Sequence, residues 1–186
     1  MNKDDDKFLI AVKDFIKSMV ISLVLVIIVT QFIARPVRVE GLSMYPSLND
    51  KELGFSNILS MKMKDPERFD VLVLYLDAQK KHIVKRVIGL PGEVVELRDE
   101  KLYIDGVEVE QPFLDTDYVR EMTSTGKEFS RDFGPIKVPE GEYFMLGDNR
   151  IRSSDSRDYG TFKREAIKSK DVFVFIPFNK MRTVGK

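Results

Sequence analysis

The chain has 186 residues, room for one ordinary domain and a small appendage. Its 30 basic and 30 acidic residues cancel, which argues against a nucleic-acid binder or a polybasic lipid clamp. There is no cysteine, which excludes disulfides, thiolate zinc sites and cysteine nucleophiles, and the single histidine, His82, excludes a multi-histidine metal site while leaving one candidate for a Ser–His–Asp triad.

Residues 1–17 form an N-terminal tail carrying Lys3, Lys7, Lys13 and Lys17. Ser18 to Ala34 then reads as an uncharged run dense in Val, Ile and Leu, roughly 26 Å long at helical rise. Extended back to Phe15 it gives a segment, 15–34, whose one charge, Lys17, can snorkel to the interface. That length matches a hydrocarbon core of about 30 Å, so a transmembrane anchor is predicted. A cleavable leader would place small residues at alternate positions before its cut, but Phe32 stands two before Ala34. A buried core helix would show polar residues at helical spacing, and none interrupt. Four lysines precede the run, against Arg35, Arg38 and Lys51 in an equal length after it, which favours a cytoplasmic N-terminus by a small margin.

Residues 35–186 read as mainly β, an antiparallel sheet domain. Asp70 to Tyr75 and Asp171 to Pro177 are short apolar runs rich in β-branched and aromatic residues. Leu102 to Val109 is a hairpin signal around Asp105-Gly106. Leu90-Pro91-Gly92 and Pro139-Glu140-Gly141 punctuate further strands. Helix is predicted only at Arg164 to Ile167, and the polar stretch 115–131 reads as a loop or a satellite of the core.

Three segments resist a plain strand or turn reading: Gly41 to Leu48 around Ser43, His82 to Gly92 around Lys85, and Gly147 to Arg157. Singly, Ser43 reads as a turn serine, Lys85 as an exposed strand lysine and the third segment as a solvated loop. Alternation leaves the direction of Lys85 open, because both faces of its strand carry two apolar residues and one base.

Together they resemble the bacterial type I signal peptidases, most closely the short members with one anchor. The patterns G-x-S-M-x-P, K-R-V-x-G-x-P-G and G-D-N-R-x-x-S-x-D-S-R follow an N-terminal anchor in that family's order. The resemblance implies a single-pass protein of the cell membrane, with an extracytoplasmic serine endopeptidase domain that cuts signal peptides from exported preproteins. It implies Ser43 as nucleophile, Lys85 as its base and Ser153 as the hydroxyl that orients the lysine. Asp155 with Arg157, and Asp148 with Arg86, match two supporting ion pairs. The Ser43 backbone N–H is the expected oxyanion-hole donor. Where some members carry a second donor serine, this chain has Gly41. The implied partners are the bilayer and signal peptides with small residues at the first and third positions before the cut; no cofactor, metal or nucleic acid is implied.

The chemistry imposes its own demand. A serine hydroxyl needs a base, and an ordinary lysine is neutral at pH 7 in only about one molecule in a thousand. Burial penalises the ammonium, so Lys85 is predicted to lie among apolar neighbours such as Ile83 and Val87. Ser124-Thr125-Gly126-Lys127 also matches the Ser-x-x-Lys string of β-lactamases, but the S-D-N and K-T-G partners are missing. A Ser43–His82 triad would leave Lys85 and the third segment without a role, and self-cleaving repressors would need a DNA-binding domain where the anchor stands. The non-enzyme alternative is a catalytically inactive, membrane-tethered relative that binds peptides or acts as a scaffold.

Overall fold

The computed structural model describes residues 3–114, 116–124, 126 and 128–185. Helix α1 (Lys3–Ile28) continues into a π-helical turn at Val29–Ile33. The stretch Lys7–Ile33 is long and apolar enough to cross a membrane, and nothing among the described residues covers its apolar core. A helix apolar on every side and left bare is suited to lipid rather than water. Residue Ala34 begins the first strand. Pro36 has no N–H to continue the helix and holds Arg35 extended, so the helix ends before them.

Among the described residues twelve strands follow: β1 (Ala34–Arg38), β2 (Leu53–Asn57), β3 (Val71–Leu76), β4 (Lys81–Gly89), β5 (Val94–Arg98), β6 (Lys101–Ile104), β7 (Val107–Val109), β8 (Phe133–Lys137), β9 (Glu142–Leu146), β10 (Phe162–Lys163), β11 (Ile167–Ile176) and β12 (Arg182–Val184). The larger sheet has the order β1-β2-β11-β3-β4-β9-β10, with β12 on β11; the smaller has the order β7-β6-β5-β8. Every pairing is antiparallel. The β6–β7 turn has Asp105 and Gly106 both at positive φ, the conformation its Asp-Gly sequence favours.

Alternate residues of β4 and β9 enter different apolar clusters. Val87 and Met145 pack with Leu72, Leu74 and Tyr143, while Ile88, Phe144 and Leu146 pack with Val95 and Leu102 of the smaller sheet. Both faces of β4 are therefore covered from Lys85 onward, whereas Lys81 and His82 are exposed.

The segment predicted as helix forms a 3-10 turn at Arg164–Ala166, and the described residues hold three short α-helices besides α1. Asn57 caps α2 (Ile58–Met63) by accepting from the Ser60 N–H, and Asp155 caps α4 (Ser156–Tyr159). The stretch 115–131, predicted as loop or satellite, contains α3 (Asp117–Ser124). Thr125 and Lys127 of the Ser-x-x-Lys string, and Asp115, lie outside the described residues.

Candidate active site

Ser43 lies on the loop between β1 and β2, anchored by the buried Val39 before it and the buried Met44 and Leu48 after it. Met44 packs with Val39, Val71 and Val73, so the nucleophile candidate is tied to the core by its neighbour. The Ser43 carbonyl accepts from the Asn149 N–H at 3.0 Å. Its own N–H donates to nothing among the described residues. The Gly41 N–H, by contrast, is engaged by Asp50 Oδ1 at 2.8 Å.

Lys85 is 3 % exposed. Burial pulls its pKa down to about 8; Asp155 and Asp148 pull it up, and Lys81 and Arg157 push it further down. The pairing of Arg86 with Leu146 brings Lys85 to the level of Gly147, where β9 ends. A methyl group on Gly147 would overlap both Ser153 Oγ and the Ser43 carbonyl oxygen. One glycine thus allows the Ser43 loop and the Ser153 side chain to meet opposite Lys85. The Ser153 hydroxyl is buried beside the Asp155 carboxylate but makes no well-formed hydrogen bond with any described residue.

Two ion pairs hold the third segment. Asp155 takes Arg157 Nε and Nη2, both at 2.8 Å, and also accepts from the Gly147 N–H at 3.0 Å. Burial alone would raise the Asp155 pKa, but Arg157 and that N–H outweigh it and leave it low. Asp148 is paired with Arg86, and both side chains are buried. Asn149 and Arg150 are residues the sequence reading gave no role. Besides the Asn149 bond to Ser43, Arg150 Nε donates to the Gly147 carbonyl at 3.1 Å. Their place inside the third pattern was the available signal.

His82 sits at the exposed start of β4. Its ring is tilted against Tyr75, and its Nε2 lies 3.3 Å from Arg35 Nη1. Since a guanidinium only donates, Nε2 accepts and the neutral ring carries its proton on Nδ1. Burial, Arg35 and Lys168 all lower the His82 pKa. A cleft of about 500 Å³ runs between β1 and the start of β4, with Ser43 and Met44 among its lining residues. Along β4 the lining stops at Val84, one residue short of Lys85. Among the described residues, no group of three His, Asp or Glu side chains could hold a metal ion.

The sequence profile described as "Signal peptidase, peptidase S26" matches residues 12–176. Signal peptidase I T of Bacillus subtilis (strain 168) is 41 % identical over 167 residues, covering 89 % of this chain and 86 % of that protein. Signal peptidase I S of the same organism is 40 % identical over 173 residues, covering 92 % and 93 %. A crystal structure of a signal peptidase I from Enterococcus faecalis V583 has 38 % sequence identity and a TM-score of 0.52, covering 57 % of this chain and 97 % of that one.

Proposed function

The chain belongs to the signal peptidase family, peptidase S26, and on that footing we propose that it cuts signal peptides from exported preproteins with a Ser43–Lys85 dyad. The observation that carries the dyad is the buried Lys85, brought down to about 8. At that value roughly one lysine in ten is neutral at pH 7, on the order of a hundredfold or more above a free side chain.

Neutral Lys85 Nζ takes the Ser43 Oγ proton as the oxygen attacks the scissile carbonyl. The Ser43 N–H receives the developing oxyanion. Lys85 then passes its proton to the departing amine, leaving an acyl-enzyme on Ser43. Neutral again, Lys85 activates the water that hydrolyses the ester, and the proton returns to Ser43. Ser153 orients the lysine without adding charge, a role supported by its buried hydroxyl, which makes no well-formed hydrogen bond among the described residues. Asp155, Arg157, Asp148 and Arg86 act by holding the loop and strand. Both dyad residues are present, and nothing favours an inactive scaffold.

The substrate lies extended in the cleft between β1 and β4, two strands with unpaired edges there. Alternate side chains enter shallow apolar pockets floored by Val37, Val39, Met44 and Val84. This arrangement accounts for small residues at the first and third positions before the cut. The membrane-anchored chain has its N-terminus in the cytoplasm and its catalytic domain outside, a reading supported by the excess of lysines before the uncharged run that starts at Ser18. The test is incubation of detergent-solubilised protein with a preprotein, followed by N-terminal sequencing of the product. A single cut after Ala-x-Ala, lost when Phe replaces the first-position Ala, is expected. Equal cleavage of both substrates would overturn the two-pocket reading.

A further inference from the structure

The cleft is open along its length and closed at one end. β1 pairs with β2 alone and is a margin of the larger sheet. The first half of β4 pairs with β3 alone, because its contact with β9 begins only at Arg86. The two free edges face one another across the cleft, and the Arg35–His82 contact bridges them. Arg35 is the second residue after the end of the membrane helix at Ile33, so the closed end is the one beside the anchor. His82 lies three residues before Lys85 on the same strand, about 10 Å away at strand rise.

A signal peptide supplies an apolar helix followed by a short segment leading to the cut. The last turn of any helix ends in carbonyl groups without intrahelical partners and carries partial negative charge. In this cleft, a substrate extended from the cut would reach His82 at its fourth or fifth residue. There it meets a guanidinium whose charge the neutral imidazole does not cancel. Arg38 and Lys81 also line the cleft, with Glu40 as its one lining carboxylate among the described residues.

Resting on the proposed function, we propose that Arg35, held against His82 at the closed end, caps the C-terminal end of the substrate's apolar helix and so disfavours Lys or Arg at the fourth and fifth positions before the cut. Arg35 is then a specificity residue for the flank of the cleavage site, separate from the pockets that read the small residues. His82 keeps the guanidinium across the cleft, a role that needs an acceptor at Nε2 and no proton transfer.

The test uses full-length protein in neutral detergent micelles and three synthetic peptides. Each has the same apolar segment and Ala-x-Ala motif, with Asp, Gln or Lys at the fourth position before the cut. The quantity measured is the ratio of kcat/KM between peptides within each enzyme, which does not depend on the folded fraction. Wild type is expected to cleave the Asp peptide about tenfold better than the Lys peptide, mainly through KM. Arg35→Gln should lower the ratio at least threefold, with Arg38 and Lys81 keeping the remainder, and Arg35→Glu should lower it further. An unchanged ratio in both variants would overturn the inference while leaving the proposed function standing. Failure of wild type to cut any of the peptides would remove both. The same peptides are also cut in vesicles containing anionic lipid; if substitution slowed all three equally there and changed nothing in micelles, Arg35 would be a headgroup contact and the inference would fall.

Discussion

Arg86 grips Asp148 through two parallel hydrogen bonds, Nε to Oδ1 at 2.8 Å and Nη2 to Oδ2 at 2.7 Å, one residue along the strand from Lys85. Its remaining nitrogen donates to the carbonyls of Phe69 and Gly185. The pair thus joins β4, the loop after β9 and the C-terminal segment while countering a carboxylate that would otherwise favour the lysine ammonium. Arg86→Met should leave Asp148 buried without a partner and cost about 3–5 kcal/mol. The Arg86→Met, Asp148→Leu double variant should recover much of that loss. Urea unfolding of both in detergent checks this; equal stability would show that the pairing itself contributes little.

Lys85 makes stability and activity run in the same direction with pH. Its folded pKa of about 8 lies below the ordinary 10.5. Below pH 8 both folded and unfolded chains hold the proton, and the fold carries a charge its interior disfavours. That penalty lifts as pH rises from 8 towards 10.5, where the unfolded chain holds more protons. Lys85→Met should therefore be more stable than wild type at pH 7, by about 2–3 kcal/mol. The wild-type kcat/KM should climb about tenfold per unit up to pH 8 and then level off. His82→Ala should keep that limb; losing it together with activity would point to a histidine base.

Gly147 is required by close approach, since any Cβ there would meet Ser153 Oγ and the Ser43 carbonyl. Gly147→Ala should lower kcat at least a hundredfold and cost about 1–3 kcal/mol from overpacking. A variant within threefold of wild-type kcat would show that Ser43 and Ser153 need not be packed this way.

The anchor ends where the cleft begins, so it sets the height of the cleft above the membrane. The junction also packs on the body: Lys62 of α2 lies over the Phe32 ring at 5.0 Å. A chain starting at Arg35 should keep cleavage of short soluble peptides within about tenfold and lose far more on membrane-embedded preproteins, because the anchor's effective concentration is gone. Side-by-side rates on both substrates decide the matter. Equal slowing would make the helix part of the active fold.

The sequence made the anchor and the strongest strands legible because their signals are one-dimensional: an uncharged run, and the β-branched runs that became β3 and β11. The Asp105-Gly106 hairpin was legible for the same reason. The helices α2, α3 and α4 were missed, being only six, eight and four residues long. The Asn57 cap and the spacing of Tyr118 and Met122 were the faint signals. The direction of Lys85 could not be read from alternation, since its burial depends on clusters on both sides of β4. The contacts around Gly147 join residues far apart in sequence, and no local pattern records them. Likewise, Asp50 engages the Gly41 N–H across nine residues, closing one route to a second oxyanion donor.

The dyad itself is tested most directly by the single-turnover rate of preprotein cleavage by Lys85→Met, measured from pH 6 to 10 beside wild type and Ser43→Ala. The nucleophile and its base act as one unit, so each loss should cost nearly as much as both. Both variants are expected to fall to the uncatalysed background at every pH, with the cooperative unfolding of a native fold. A folded Lys85→Met enzyme keeping more than a tenth of the wild-type rate would contradict the account.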